Sequence, residues 1–193
     1  IKIIKLLGYE IIDQNNFISP TLKKELNENL SKINKESIIL PLGKVNITRK
    51  IKSLLIVFRT NTNVEIWDQN KKRLFEEPKI EYAKRSLNSL IKSIKYLKKS
   101  IPQFNCKLIV LDDHSNTKNY KEIKKILENE SGSEIISLDH DKYKTAIKKQ
   151  KSKETFSNLA SLLNSFEIGK NLGEDLVFFV EDDYLHFETM LEE

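Results

Sequence analysis

Leu176-Val177-Phe178-Phe179-Val180-Glu181-Asp182-Asp183 is a run of five apolar residues leading directly into three acids. A continuous apolar run of this length is the pattern of a strand buried on both faces of a parallel sheet. Three upstream segments fit the same frame: Leu54-Leu55-Ile56-Val57-Phe58, Lys107-Leu108-Ile109-Val110-Leu111, and the shorter Glu134-Ile135-Ile136-Ser137-Leu138. Stripes at helical spacing lie between them. Ala83, Leu87, Leu90, Ile91, Ile94 and Leu97 mark a helix that ends before Pro102, and Tyr120, Ile123, Ile126 and Leu127 mark one closing near Gly132. Phe156, Leu159, Ala160, Leu163 and Phe166 mark a third, with Gly169 and Gly173 at its close. Strands alternating with helices predict an α/β domain with a mostly parallel sheet and crossover helices.

Crossovers of one hand put every strand C-terminus on the same sheet edge, and ligands of open α/β sheets bind at that edge. The residues that follow each strand are therefore the informative ones. Arg59-Thr60-Asn61 follows the first strand, Asp112-Asp113-His114-Ser115 the second, and Glu181-Asp182-Asp183-Tyr184 the fourth. So many carboxylates on one edge repel one another unless a cation sits among them. Hard oxygen donors of this kind suit Mg²⁺ or Mn²⁺ shared with substrate phosphates. For Asp112 and Asp113 a second role stays open, because either of them, or Ser115, could cap the helix beginning near Thr117.

Other phosphate-handling and hydrolytic designs lack their signatures. There is no Gly-x-x-x-x-Gly-Lys-Ser/Thr loop, no Gly-x-Gly-x-x-Gly after the first strand, and no Gly-x-Ser-x-Gly elbow. The histidines His114, His140 and His186 lack metal-ligand spacing, although His114 and His186 lie beside the acidic ends. The 193 residues carry a net charge of +5, but the lysines are interleaved with acids, as in Lys121-Glu122-Ile123-Lys124-Lys125. That is the pattern of solvated helix faces, so no nucleic-acid partner is expected. The single cysteine, Cys106, excludes an internal disulfide and reads as a buried thiol.

Residues 1–50 read as a small α-rich lead-in that packs on the main domain at 51–193. Ser19-Pro20 starts a helix with Leu22, Leu26, Leu30 and Ile33 on one face, and the short run Ile38-Ile39-Leu40 stops at Pro41. No stretch approaches the roughly 20 apolar residues of a membrane span. The expected location is the cytoplasm, with peripheral association at the inner face of a membrane left open.

The ordered set of strand ends resembles the nucleotide-sugar-binding half of the GT-A glycosyltransferases, most closely the inverting family 2. The residues that carry the resemblance are Phe58-Arg59-Thr60-Asn61, Val110-Leu111-Asp112-Asp113-His114-Ser115, Ser157-Asn158-Leu159, and Gly173-Glu174-Asp175 through Asp183. It implies a Rossmann-like, three-layer GT-A fold, here cut off after the Asp-x-Asp-like strand and incomplete at its C-terminus. It also implies a donor site with Thr60 at the base or ribose, Asp113 on the base with Asp112 close by, and Asn158 near the sugar nucleotide. By the same resemblance Asp183 coordinates a divalent metal, Mn²⁺ or Mg²⁺, while Asp182 and Glu181 contact ribose or complete the metal shell. The implied reaction is inverting transfer of a sugar from a nucleotide diphosphate sugar to a glycan or lipid-linked acceptor hydroxyl, as in surface polysaccharide or lipopolysaccharide synthesis. The catalytic base would lie beyond the chain end. Two alternatives remain: a receiver-like phosphotransfer domain with Asp139 as acceptor, and a non-catalytic nucleotide-sugar-binding module.

Overall fold

The computed structural model describes residues 36–39, 43–46, 50–63, 77–147 and 152–192. The chain divides into two compact units, Ile1–Ile51 and Lys52–Glu193. In the first, β1 (Glu36–Ile39) pairs antiparallel with β2 (Gly43–Asn46), Ile39 opposite Gly43. The described part of the lead-in is thus an antiparallel pair of short strands. The helix expected from Ser19 onward lies outside the described residues.

The second unit alternates as β3 (Ser53–Thr60), α1 (Lys79–Ser100), β4 (Asn105–Asp112), α2 (Thr117–Leu127), β5 (Ser133–Ser137), α3 (Lys153–Leu172) and β6 (Leu176–Glu181). The sheet order is β5-β4-β3-β6 and every pairing is parallel. Successive strand side chains point to opposite faces, and two cores form accordingly. Leu54, Ile56 and Phe58 of β3 join Leu108 and Val110 beneath α1 and α2, packed on Leu87, Leu90, Ile94 and Ile123. Leu55, Val57, Ile109 and Leu111 join Leu138, Tyr143, Ala160 and Ile168 on the α3 side. The result is a three-layer α/β/α arrangement compatible with a Rossmann-like fold. Each fully buried Leu, Ile or Phe contributes about 1.5–3 kcal/mol.

Local chemistry sets the element ends. Asn116 caps α2 by accepting from the Asn119 amide at 2.9 Å, and Ser152 caps α3 through the Thr155 amide at 3.1 Å. Lys98 and Lys99 in the last turn of α1 complement its dipole. Gly132 takes φ +81° in the turn before β5, a conformation disfavoured for residues with a Cβ.

Two expectations change. β6, read as buried on both faces, is an edge strand among the described residues, with Phe179 39% exposed. α3 turns a different stripe inward: Ala160, Ser161, Ser165, Ile168 and Gly169 are buried, whereas Leu163 and Phe166 are exposed. Small residues let the helix backbone approach the sheet. A Cβ on Gly169 would lie 2.9 Å from the Phe179 ring, and one on Gly173 would lie 2.4 Å from Val177 Cγ2.

Candidate functional site

The strand register builds the site. β3 is flanked by β4, where Thr60 pairs with Asp112, and by β6, where Arg59 pairs with Glu181. The chain runs from β3 outward to β5 and then returns to place β6 on the other side of β3. The strand order therefore reverses between β3 and β6, and the crevice at their C-terminal ends is the usual ligand position of an open α/β sheet. A cavity of about 670 Å³ opens there, lined by residues that include Arg59, Thr60, Asn61, Lys79, Asp113, His114, His140, Ser157, Asn158, Glu181, Asp182 and Asp183.

One residue past the ladder, Asp182 ties the two strand ends together. Its buried carboxylate accepts from the Thr60 hydroxyl at 2.8 Å, the Asn61 amide at 3.3 Å and the Lys79 ammonium at 2.5 Å. Lys79 stands at the start of α1, so a single acid joins β3, α1 and β6. Thr60 and Asp182, both expected at the nucleotide, thus spend their polar atoms on each other. Glu181 is paired with the Arg59 guanidinium, whose other terminal nitrogen is buried with no partner. Asp183 is different. It is exposed at the cavity wall, and no hydrogen bond or ion pair joins its carboxylate to any described residue.

The β4 end forms a second polar centre. Asp113 is buried, and its backbone amide donates to the Thr60 carbonyl at 2.8 Å, which continues the ladder by one bond. Asn61 Nδ2 (3.2 Å) and the Ser157 hydroxyl donate to Oδ2; His140 Nε2 (2.8 Å) and His114 Nδ1 (3.1 Å) approach Oδ1. Four protein groups thus surround the two oxygens of this carboxylate. His114 holds φ +58°, left-handed for a residue with a side chain, at a cost of roughly 1–2 kcal/mol. Asn63 fastens the turn by donating to the His114 carbonyl and accepting from the Asn116 amide at 3.3 Å. The two imidazole rings are tilted by 36° with centroids 4.3 Å apart, and Phe156 meets the His140 ring edge-on at 5.6 Å.

Asp112 lies outside the cavity lining. Its carboxylate accepts from the Ser115 amide at 3.1 Å and so braces the turn, while Asn116, not Asp112, Asp113 or Ser115, caps α2. The other Asp112 oxygen is buried with no partner. Burial holds this carboxyl above the usual carboxylate range, partly offset by the donors of Ser115. Asn158 lines the cavity from the first turns of α3. Asp139 is exposed, accepts from the Asp141 amide at 2.9 Å and is not part of the lining. His186 is set away from the cavity beside α1, where burial lowers its imidazole pKa.

Among the described residues, Asp113, His114 and His140 offer ligand atoms that all lie within 4.8 Å of one another, and this group could hold a metal ion. Asp183 and Glu181 are not members of it. Spacing along the sequence concealed this group, because His140 arrives on the turn after β5, 27 residues from Asp113. The rule that singled out the other strand ends would have found it, since His140 stands three residues beyond β5. Lys79 and Ser157 carry no such signal; each is an ordinary helix residue brought in by packing.

The fold and site define a parallel α/β domain with a charged, carboxylate-rich crevice at its switch point. Comparison with protein-family models and with curated proteins gives no match to this chain.

Proposed function

We propose that the crevice binds a nucleotide diphosphate sugar together with a divalent cation, and that the domain is the donor-binding half of a glycosyltransferase. One observation carries this reading: among the described residues, the Asp183 carboxylate at the cavity wall has no hydrogen-bond or ion-pair partner. Arg59, which lines the same cavity, gives one guanidinium nitrogen to Glu181 and keeps a second, buried one without a partner among the described residues. A metal-bound diphosphate answers both. Asp183 would hold Mn²⁺ or Mg²⁺, hard cations normally shared between one or two carboxylates and phosphate oxygens. Arg59 would meet a phosphate oxygen through charge-assisted hydrogen bonds, and Lys79 and Lys153 add positive charge to the lining. When bound, the cation would supply charge neutralisation for a departing diphosphate.

The nucleoside would fall to an exposed amide rather than to Asp113, whose buried carboxylate is surrounded by Asn61, Ser157, His140 and His114. Asn158 lines the cavity and presents an amide donor and acceptor. Thr60, Asp182 and Asp112 act beneath the ligand by fixing the strand ends. The acceptor would be a glycan or lipid-linked hydroxyl. Transfer with inversion needs a base to take the hydroxyl proton, and no described residue of the cavity is assigned that role.

The test is a thermal-shift panel of nucleotide diphosphate sugars with Mn²⁺ and with Mg²⁺. A ligand at 100 times its Kd stabilises the native state by about 2.7 kcal/mol, which raises the melting temperature by several degrees. A panel in which no nucleotide sugar moves the transition with either cation would sink the proposal.

A further inference from the structure

The geometry points to a second cation seat in the crevice: we infer that Asp113, His114 and His140 bind a borderline transition ion of the Zn²⁺ or Co²⁺ class, with open positions toward the cavity. The seat stands on its own geometry and does not depend on the donor reading.

Bond lengths of about 2.0–2.2 Å from metal to imidazole nitrogen or carboxylate oxygen place neighbouring ligand atoms roughly 3–3.5 Å apart. His140 Nε2 and His114 Nδ1 lie 2.8 Å and 3.1 Å from the same Asp113 oxygen. Both separations are close to that range, and the three ligand atoms all lie within 4.8 Å of one another. The donors are also held in advance. Asp113 is fixed by Asn61 and Ser157, and the His140 ring by Phe156. His114 is held by a left-handed backbone that its side chain disfavours, with Nδ1 3.1 Å from Asp113. Strained backbone of this kind gathers at ligand sites.

Access and selectivity follow from the same residues. Side-chain exposure rises from 4% at Asp113 to 19% at His140 and 61% at His114, so an ion can enter from the solvent side. All three residues line the cavity, which leaves the remaining coordination positions open to water or to a ligand oxygen. Two imidazoles and one carboxylate favour Zn²⁺, Co²⁺, Ni²⁺ or Fe²⁺ over Mg²⁺, which prefers oxygen donors. The crevice then holds two seats of different character, an imidazole-bearing one at the β4 and β5 ends and an oxygen-only one at Asp183.

The test is a Co²⁺ titration of the whole chain, followed by its visible d–d absorption. Protein-bound bands distinct from the aqua ion are expected, reversed by Zn²⁺ and untouched by excess Mg²⁺. His140→Ala and His114→Ala should each weaken Co²⁺ by at least about tenfold, since even outer-shell changes at metal sites typically cost that much. Asp183→Ala should leave the bands intact. His140→Gln, with circular dichroism of every variant, separates lost ligation from lost fold. Aqua-ion bands throughout, or bands that survive in the His114→Ala/His140→Ala double variant, would overturn the seat. Bands lost in Asp183→Ala but kept in His140→Ala would assign the ion to the β6 end and overturn it equally. Failure of nucleotide sugars to bind leaves this result unchanged, so the two ideas fail separately.

Discussion

Asp182→Ala should unfasten the crevice, and the size of the effect can be worked from its contacts. The substitution removes the acceptor of the Thr60 hydroxyl, the Asn61 amide and the Lys79 ammonium at once. A hydrogen bond to a charged group contributes about 1.5–3 kcal/mol. Breaking a buried ion pair from one side costs about 3–5 kcal/mol, because the remaining charge stays desolvated. Here the side chains are 18% exposed at Lys79 and 9% at Asp182, so the pair is largely shielded from water. The lysine stem can still swing its ammonium outward, which moves the expectation to the low end, about 3 kcal/mol. For a domain of this size that is a fall of roughly 6–12 °C in melting temperature. Thermal and urea unfolding measure it directly. The double variant Asp182→Ala/Lys79→Met should lose less than the sum of the singles, by about 1–2 kcal/mol, because the contacting pair is coupled. A loss under about 1 kcal/mol, or strict additivity, would refute the idea that Asp182 is spent on the scaffold and would return it to the ligand.

Three further outcomes follow from individual side chains. His186 has a buried Nε2 without a partner and an imidazole pKa lowered by burial. Its contribution to stability is full above the unfolded value of 6.5 and declines as the pH falls through that value toward the folded one, so His186→Leu should flatten the acid limb of a stability–pH curve. Gly173→Ala would put a Cβ 2.4 Å from Val177 Cγ2 and 2.5 Å from the Gly169 carbonyl oxygen. Overpacking of this kind costs about 1–3 kcal/mol, and a variant as stable as the parent by urea titration would show that α3 and β6 are less closely packed than the structure has them. Burial pushes the Cys106 thiol up to about 11, so a thiol reagent should label it only under unfolding conditions; rapid native labelling would contradict its place in the core.

The fold was legible because its strands are encoded by strong local runs. Leu54–Phe58 and Lys107–Leu111 fall within β3 and β4, and the α1 stripe from Ala83 to Leu97 is the buried face of that helix. What misled was size. Large apolar residues of α3 looked like its inner face, yet Leu163 and Phe166 face outward while Ala160, Ser165 and Gly169 make the close contact. An apolar run likewise cannot reveal whether a strand is central or at the edge, and β6 proved to be at the edge among the described residues.

The site was legible as a location more than as a set of roles. Reading the residues after each strand found Thr60, Asp113 and the acidic triplet, all of which line one cavity. It could not foresee that Asp182 would be consumed by Thr60 and Lys79, that Asp112 would turn away beneath the turn, or that His140 would reach Asp113. Those facts depend on register, since Arg59 lies opposite Glu181 and Thr60 opposite Asp112. A shift of one residue would exchange which acids face the crevice.

Asp183 has no hydrogen-bond or ion-pair partner among the described residues, and its side chain is exposed. Asp183→Ala should therefore melt with the parent while losing the cation-dependent part of donor binding. Calorimetric titration of a nucleotide diphosphate sugar, with and without Mn²⁺, tests the central claim most directly. The expected result is saturable, Mn²⁺-dependent binding in the parent chain that disappears in Asp183→Ala. Equal affinity in both chains, indifferent to Mn²⁺, would contradict it.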